Sequence, residues 1–476
     1  MTKRPLFAAF ARLRAGARAV ELASRPVPPD LAAALERRWS ELPDHVRTPA
    51  QAIGRRTAGC EGTHGVFPRC DLACTPCYHS QEANRVRVDG EHTVDQVQAQ
   101  MALLRSERGP GQNAQLIGGE VTLLSPDAHA RALEAMLRND RKPMSLSHGD
   151  FDYDYLRELA IEPDGRARFG HLSFAGHFDS MMFGRRGIRR VRDETELDPY
   201  RLRFCEMFKR LEREHGVTHY LAHNMTVTPG NIGGVAAVVR NCHDHGFRMF
   251  SFQPAAFIGN KSRWKEDYRQ FSDEAGWEQI EAGAGCRLPY EVFQIGDLRC
   301  NRTVYGAYVG DRYIPFLDDR DRRDLKARDA CYEVFGGMDF AVPRALLALR
   351  LTRAIGSHPG VLPLAFSWAR RFARRAGGLR ALRRGGVRAV TFVMHSFMDA
   401  RQVRPAWELM LENVTAEDPE IRATHERLRA CSYAMAHPET GELIPACVQH
   451  SVLDPAENLK LVELLPLEAN RRKTMT

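Results

Sequence analysis

Short apolar runs alternate with amphipathic segments along the middle of the chain. The short runs predict strands at 66–67, 114–117, 143–147, 171–175, 218–227 and 247–252. The segments between them repeat apolar residues at helical spacing, which predicts helices at 93–105, 127–137, 152–159, 198–215 and 230–245. Strands that alternate with helices pair in parallel through right-handed crossovers. The pattern therefore predicts an α/β fold built as an open, partial (βα)6 barrel.

The flanking segments have other patterns. Residues 5–24 place Leu6 and Phe10 on one face and arginines on the other, which predicts an amphipathic helix. Such a helix could lie on an anionic membrane or pack on its own protein. We predict three parts: an N-terminal helical extension at 1–59, the barrel at 60–262 and a C-terminal α+β region at 263–476.

Composition is that of a globular protein. Hydrophobic residues make up 43% and charged residues 27% of the 476 positions. No apolar run reaches the ~18 residues that span a bilayer, and the N-terminus lacks the pattern of a secretory signal. Eleven cysteines spread over this length are too sparse for a disulfide scaffold. These features predict a cytoplasmic protein.

The net charge of +8 is concentrated in one segment. Residues 344–398 contain no Asp or Glu and are predicted as Arg-rich helices followed by a strand at 391–397. The arginines of this segment are Arg344, Arg350, Arg353, Arg370, Arg371, Arg374, Arg375, Arg380, Arg383, Arg384 and Arg388. A basic segment suits an anionic lipid surface, so we expect peripheral membrane contact. Few aromatic residues are interleaved with these arginines, so no nucleic acid is expected as a partner.

Three cysteines, Cys70, Cys74 and Cys77, lie within one short segment with C-x3-C-x2-C spacing. Three thiolates can be turned toward one inorganic group, whereas iron–sulfur clusters and closed zinc sites usually have four ligands. One metal position would therefore be open to a substrate or cofactor. The spacing alone also allows a zinc site that uses His79 as its fourth ligand, or three buried thiols.

The segment Gly118-Gly119-Glu120 ends the second predicted strand. Glycines allow a ligand to approach the backbone closely, and a carboxylate can bind a charged amine. In parallel α/β sheets, ligands bind at the carboxyl ends of strands. Both this segment and the cysteine segment follow predicted strands, which places them at that edge.

Together, the C-x3-C-x2-C spacing and the Gly-Gly-Glu segment closely resemble the motifs of radical S-adenosylmethionine (SAM) enzymes, over about residues 60–260. The resemblance implies a [4Fe-4S] cluster on the three cysteines, with SAM bound to the open iron. It also implies that Gly118, Gly119 and Glu120 bind the SAM amino group. Further SAM-binding candidates at strand ends are Ser147, Asp179, Asn224 and Gln253, and Arg185-Arg186 is a candidate for the SAM carboxylate or an anionic substrate.

Two positions depart from the usual family pattern. Pro76 stands where an aromatic residue often precedes the third cysteine, and Val121 stands where a proline often follows the glutamate. The resemblance implies reductive cleavage of SAM to a deoxyadenosyl radical that abstracts hydrogen from an unactivated C–H bond. It also implies a reducing partner such as flavodoxin or ferredoxin. The residues that act on the substrate are not identified.

Cysteines after the barrel resemble the auxiliary-cluster region of many radical SAM enzymes. The candidates are Cys286, Cys300, Cys331, Cys431 and Cys447, of which Cys300, Cys431 and Cys447 are preferred. They could hold a second iron–sulfur cluster or a mononuclear iron, or be buried thiols without a metal. Cys60, Cys205 and Cys242 are interpreted as core thiols. His395 with Asp399, and Gln449 with His450, could ligate metal or donate protons.

The substrate is the least determined feature. Short similarities, including Phe252-Gln253-Pro254 at the sixth strand, resemble the tetraether-synthase-like branch, which joins lipid chains. A lipid substrate is therefore one hypothesis. A peptide-modifying maturase with an auxiliary cluster is the alternative, and a non-catalytic metal or nucleic-acid binding protein is the alternative of a different class.

Overall fold

One eleven-stranded sheet organises the chain in the computed structural model, which describes residues 21–77, 81–259, 261 and 264–467. Most of the helix predicted at 5–24, and also His79, lie outside the described residues. Within those ranges, every helix is too short or too polar to span a bilayer.

The strands are β1 Cys60–Gly62, β2 Ala73–Cys74, β3 Asn113–Leu116, β4 Lys142–Ser147, β5 His171–His177, β6 Met182–Phe183, β7 Thr218–Val227, β8 Met249–Pro254, β9 Asn301–Val309, β10 Arg312–Pro315, β11 Arg388–His395, β12 Tyr433–His437 and β13 Glu442–Pro445. The helices are α1 Pro29–Glu41, α2 Gly90–Arg108, α3 Pro126–Arg138, α4 Tyr153–Ala160, α5 Asp198–His215, α6 Val235–Cys242, α7 Asp273–Ala284, α8 Arg322–Phe335, α9 Arg344–Ser357, α10 Val361–Arg375, α11 Leu379–Gly385, α12 Ala400–Leu411, α13 Pro419–Arg429, α14 Ala446–Val448 and α15 Asp454–Leu464.

Parallel strands form the centre of the large sheet. The strands β1, β3, β4, β5, β7 and β8 are neighbours in chain order, and each pairs in parallel with the next. From the C-terminal region, β12 pairs in parallel with β1 and β11 pairs in parallel with β8. Antiparallel strands β9, β10 and β13 complete the two edges. The prediction of an α/β fold with a parallel sheet is confirmed.

The sheet curls so that its two edges approach each other. Ile117 after β3 and Met435 in β12 share a buried cluster with Phe397, which follows β11 at the opposite side of the sheet. A second cluster joins Met398 to Val448. Residues of the C-terminal region therefore close the concave side of the parallel sheet.

The main core lies between the sheet and its helices. On α5, Phe204 and Phe208 are one turn apart and pack together with a ring-centroid distance of 5.1 Å. Phe174 of β5 packs on Phe208 at 5.0 Å, and all three side chains are fully buried. This regular apolar spacing explains why the predictions of 198–215 as a helix and 218–227 as a strand are confirmed to the residue.

The first strand differs from the prediction. Val66 and Phe67 are buried but lie in no strand, whereas β1 is Cys60–Gly62. Glu61 in β1 is fully buried, and the Nε of Arg141 lies 2.9 Å from its Oε2. Burial raises the pKa of Glu61 to about 7, and the nearby Arg141 guanidinium opposes that rise. A charged residue between a cysteine and a glycine has low strand propensity, so this strand gives no apolar pattern.

Candidate functional site

The loop at residues 67–77, which carries the three cysteines and is called the cysteine loop, lies directly against Gly118-Gly119-Glu120. The N–H of Gly119 donates to the carbonyl of Phe67 at 2.8 Å, and the N–H of Glu120 donates to that of Arg69 at 2.9 Å. A Cβ on Gly118 would lie 2.6 Å from the Phe67 ring, and one on Gly119 would overlap the carbonyls of Pro68 and Arg69. The two glycines therefore allow the chain before Cys70 to cross the end of β3.

Backbone contacts shape the cysteine loop itself. The N–H of Cys70 donates to Asn84 Oδ1 at 3.1 Å, and the N–H of Leu72 points at Cys70 Sγ at 3.4 Å. Cys74 lies in β2, which pairs antiparallel with β6. Burial raises the pKa of Cys70 to about 12, with smaller contributions from Glu120 and Cys77. All three thiols are partly exposed, so the loop offers three soft ligands near one another.

Glu120 is held in place by a buried network. Its side chain is 1% exposed and accepts hydrogen bonds from Thr122 N at 3.1 Å and Thr122 Oγ1 at 2.6 Å. It also accepts from Ser147 Oγ and from the N–H of His148, both at 2.8 Å. Both oxygens are thus occupied by donors from the fold. The Ser147 hydroxyl, predicted to bind SAM, positions this carboxylate.

His148 connects Glu120 to the cysteine loop. Its Nε2 lies 2.8 Å from Asp71 Oδ1 and 3.3 Å from Glu120 Oε2. Burial acts to lower the pKa of His148, but the charges of Glu120 and Asp71 outweigh it and raise that pKa. Potential ligand atoms of Cys70, Asp71 and His148 lie within 4.8 Å of one another. His148 follows the third predicted strand, where ligand-binding side chains are expected, but its pairing with Asp71 was not predictable because the two residues are 77 positions apart.

The other predicted strand-end residues divide into two kinds. Asp179 is buried and fully engaged, because it accepts from Met181 N and Thr226 N and pairs with His177 Nε2 at 2.6 Å. Burial opposes ionisation of Asp179, but His177 and these donors lower its pKa. The side chains of Asn224 and Gln253, on β7 and β8, have no hydrogen-bond partner within the described ranges. They remain available to a ligand.

Arg185 carries an unsatisfied buried donor at the same edge. It is 4% exposed, and its Nη2 donates to the carbonyls of His148 at 2.8 Å and His177 at 3.2 Å. Its Nη1 is buried with no hydrogen-bond partner among the described residues. Buried donors are rarely left unpaired, so this atom is a candidate donor to a bound group. Arg186 differs, because it is bonded to Asp150 and Asp152.

Three of the five predicted auxiliary cysteines lie in one region. Burial raises the pKa of Cys447 strongly, and Cys431 and Cys300 both add to that rise, which places the three thiols within electrostatic range. The Nε of Arg427 donates to Cys300 Sγ at 3.1 Å. Burial also raises the pKa of Cys60 to about 11, with a contribution from Cys431. Cys60 therefore adjoins this group, although it was interpreted as a core thiol.

The other two auxiliary candidates lie elsewhere. The thiol of Cys286 contacts the Tyr313 carbonyl at 3.6 Å, beside the antiparallel edge of the sheet. Cys331 is exposed on α8, and the charged group that acts on its thiol is the Arg56 guanidinium, not another cysteine. The structure does not bring these two cysteines to the other three.

A second polar cluster adjoins the carboxyl ends of β1 and β12. The rings of His64 and His437 stack with centroids 4.1 Å apart, and Glu457 Oε2 lies 3.0 Å from His64 Nδ1. The Nε2 atoms of the two histidines donate to the Ala436 carbonyl and to Gln449 Oε1. Ligand atoms of the two histidines and Glu457 lie within 4.8 Å of one another. Both Nε2 atoms are thus bonded to carbonyl oxygens while both Nδ1 atoms face the Glu457 carboxylate, an arrangement that allows either a hydrogen-bonded network or a metal site.

The network continues through a π-helical turn at Gln449–Leu453. Gln449 Nε2 donates to Asp454 Oδ1 at 2.8 Å, and His450 Nδ1 lies 2.7 Å from Asp454 Oδ2. His450 is buried against Phe397, so the predicted pair of Gln449 and His450 joins one network. His395 and Asp399 do not pair: burial lowers the pKa of His395 to about 4, and Asp399 caps α12.

A scan against protein-family models and a search of curated proteins both find no match. Solved structures similar to the chain include SuiB from Streptococcus suis bound to S-adenosylmethionine, at 15% identity and a TM-score of 0.30, covering 43% of each chain. Another is anSMEcpe with bound AdoMet, at 15% identity and a TM-score of 0.29, covering 42% of this chain and 54% of that one.

A third is the radical SAM methyltransferase TsrM from Kitasatospora setae, solved with tryptophan and a SAM analogue. It is 15% identical with a TM-score of 0.26, and the match covers 42% of this chain and 36% of that one. The chain thus spans less than two thirds of the length of each of these proteins. Two of these three proteins were solved with bound S-adenosylmethionine, and the third is a radical SAM methyltransferase solved with a SAM analogue.

Proposed function

We propose that this protein is a radical SAM enzyme whose [4Fe-4S] cluster is held by Cys70, Cys74 and Cys77. The observation that carries the proposal is the direct hydrogen bonding of the cysteine loop to Gly119 and Glu120 at the carboxyl edge of the parallel sheet. Two motifs about 45 positions apart in sequence are thereby joined in one site.

The donor set fits the proposed group. A [4Fe-4S] cluster normally takes four thiolates, so three from this loop leave one iron for another ligand. Arg185 Nη1, the buried donor without a partner among the described residues, suits the SAM carboxylate. Asn224 and Gln253 offer amides for the ribose and adenine. An amine bound at Glu120 would share its oxygens with Thr122 and Ser147.

Bound there, a reduced cluster would supply the electron that cleaves SAM. The resulting deoxyadenosyl radical could abstract hydrogen from an unactivated C–H bond. The residues of the chain would hold the cofactor at the carboxyl edge of the sheet. A reducing protein such as flavodoxin or ferredoxin is the proposed electron donor.

Anaerobic reconstitution tests this proposal. The full chain is loaded with iron and sulfide, reduced with dithionite and given SAM, and deoxyadenosine is measured. We expect product with the native chain and none with Cys70→Ala. Arg185→Met should load iron normally but bind SAM about 10- to 100-fold more weakly, because a charged hydrogen bond of ~1.5–3 kcal/mol is lost. Failure to load iron would refute the hypothesis of a radical SAM enzyme. A chain that binds zinc but not iron would favour a non-catalytic metal-binding protein.

We further propose a second metal site at Cys300, Cys431 and Cys447, with Cys60 as its fourth ligand. Supporting it are the electrostatic effects among these half-buried thiols and the hydrogen bond from the Arg427 guanidinium to Cys300, which would balance thiolate charge. Four thiolates can hold either an iron–sulfur cluster or a mononuclear iron.

Iron counting in a Cys70→Ala/Cys74→Ala/Cys77→Ala background tests the second site. We expect residual iron that Cys431→Ala or Cys447→Ala removes and that Cys60→Ala diminishes. Cys286→Ser and Cys331→Ser should retain it, and Mössbauer spectra would distinguish a cluster from a single iron. Residual iron that survives both Cys431→Ala and Cys447→Ala would contradict the proposal.

For the substrate we propose a lipid, as in the tetraether-synthase-like branch that the short motifs resemble. Support comes from the basic character of residues 344–398. The test is deuterium transfer into deoxyadenosine from a perdeuterated lipid and from a labelled peptide. Transfer from the peptide alone would identify a peptide-modifying enzyme and reject the lipid hypothesis.

A further inference from the structure

The arginines of residues 344–388 divide into two groups by their contacts. One group is used within the fold: Arg350 donates to the Ala23 carbonyl, Arg353 to Ser24, Arg371 and Arg375 to Asp324, and Arg388 to the Gly310 carbonyl. The second group is exposed, and its side chains make no hydrogen bond or ion pair within the described ranges: Arg344, Arg370, Arg374, Arg380, Arg383 and Arg384. Their positive charge is not used by the fold.

Large apolar side chains are exposed among these arginines. Leu362 is 52% exposed, Phe366 71% and Leu379 68%. On α10, Leu362 and Phe366 are followed at the same four-residue spacing by Arg370 and Arg374, so the four share one helical face. The opposite face packs on the protein, where Phe372 is buried against Phe316 with centroids 5.6 Å apart.

We propose that this surface docks the protein on an anionic lipid bilayer. The α10–α11 face consists of Leu362, Phe366 and Leu379 with Arg370, Arg374, Arg380, Arg383 and Arg384. An apolar row beside arginines, in a segment that contains no Asp or Glu, is the pattern of interfacial helices, whose apolar side chains enter the headgroup region while the guanidinium groups bind phosphates. Docking is independent of the proposed SAM chemistry.

Charge argues against two other occupants. Residues 1–20 precede the contacts of Glu21 and Ser24 with Arg353, but they contain Lys3 and several arginines and no acid. Like charges disfavour packing of that segment on the α10–α11 face, and both would be attracted to the same anionic membrane. A second copy of the chain would place one set of arginines against an identical set.

Vesicle sedimentation of the full chain tests the proposal. We expect binding to phosphatidylcholine vesicles that contain phosphatidylglycerol, weak binding to phosphatidylcholine alone, and loss of binding at high salt. Leu362→Ser/Phe366→Ser, which keeps every charge, should weaken binding by about tenfold, and so should Arg370→Gln/Arg374→Gln. The matched controls are Leu137→Ser, at a side chain 46% exposed on α3, and Arg166→Gln, in an exposed turn. Both should bind as the native chain does.

Several results would overturn the proposal. Equal binding to both vesicle types would show that anionic lipid is not required. Equal weakening by the control substitutions would show that binding does not depend on the α10–α11 face. If deletion of residues 1–20 abolished binding while both face variants bound normally, the N-terminal segment would be the membrane anchor. If labelled RNA bound tightly and only the arginine variant released it, the face would be a nucleic-acid site. Because all substituted side chains are exposed, the variants should keep the native melting temperature.

Discussion

The main-chain N–H of Glu120 donates to the carbonyl oxygen of Arg69 over 2.9 Å, so the acidic residue after β3 is attached to the cysteine loop through the backbone. The geometry of the loop therefore depends on the end of β3, and not only on the metal that its thiols would bind. Substitutions that separate these two segments should disturb metal loading without removing any ligand.

Gly119→Ala should separate the cysteine loop from the end of β3. The added Cβ would overlap the carbonyls of Pro68 and Arg69, which are backbone atoms and cannot rotate away. We expect a destabilisation of at least ~1–3 kcal/mol and a large loss of reconstituted iron. Melting temperature and iron content are measured together. Gly170→Ala, where nothing lies within 4 Å of the added carbon, is the control; equal loss in both variants would contradict the stated cause.

Glu120→Gln should disturb both the fold and SAM binding. The carboxylate accepts four hydrogen bonds, and an amide would direct an NH2 group at Thr122 N or His148 N, which are themselves donors. We expect ~1.5–3 kcal/mol of destabilisation and a SAM dissociation constant raised about tenfold. Calorimetric titration and thermal melts measure the two effects. Glu134→Gln, on an exposed part of α3, should change neither. Unchanged SAM affinity in Glu120→Gln would argue against the proposed cofactor position.

Regular elements were predictable because their apolar residues repeat without interruption. In α5, Phe204, Phe208 and Leu211 form one buried stripe, and β7 is buried without a break from Leu221 to Met225. The first strand was predicted at 66–67 instead of Cys60–Gly62 because its central residue is the buried Glu61. The ion-pair partner of Glu61 is Arg141, which lies 80 positions later. A buried ion pair has no local signature in sequence.

The candidate site divides in the same way. Cys70, Cys74 and Cys77 were identified from spacing, and Glu120 from its two preceding glycines. The cluster around His64 was missed because its partners His437 and Glu457 lie almost 400 positions away and meet it only when β12 pairs with β1. Arg185 was considered with Arg186, and only the fold shows that one is buried while the other is paired at the surface.

The pair of Glu61 and Arg141 gives a test of that buried contact. Glu61→Leu leaves a buried guanidinium with only the Gly109 carbonyl as a hydrogen-bond acceptor outside its own turn, and should cost ~3–5 kcal/mol. Arg141→Met should be similarly costly. The double variant should recover most of the loss, because no buried charge then lacks a partner. Chemical denaturation measures all three. Additive losses in the double variant would show that the two side chains act independently.

The pairing of His64 with Glu457 predicts a dependence of stability on pH. Burial acts to lower the pKa of His64, but the hydrogen bond and charge of Glu457 outweigh it, so this pKa is raised above its ordinary value of 6.5. The protonated imidazole therefore stabilises the fold fully below pH 6.5, and that contribution is lost as the pH rises through the higher folded-state pKa.

Melting temperatures of the native chain and His64→Gln, compared across this range, measure the effect. The difference between the two should be largest at acidic pH and should shrink as the pH rises above 6.5. His171→Gln is the control of opposite sign, because burial lowers the pKa of His171 and its protonation should oppose folding. Glu457→Gln should abolish the pH dependence of the His64 effect, since the imidazole then has no carboxylate partner at its Nδ1. A stability difference that grows with rising pH would contradict the assignment of a charged pair at this position.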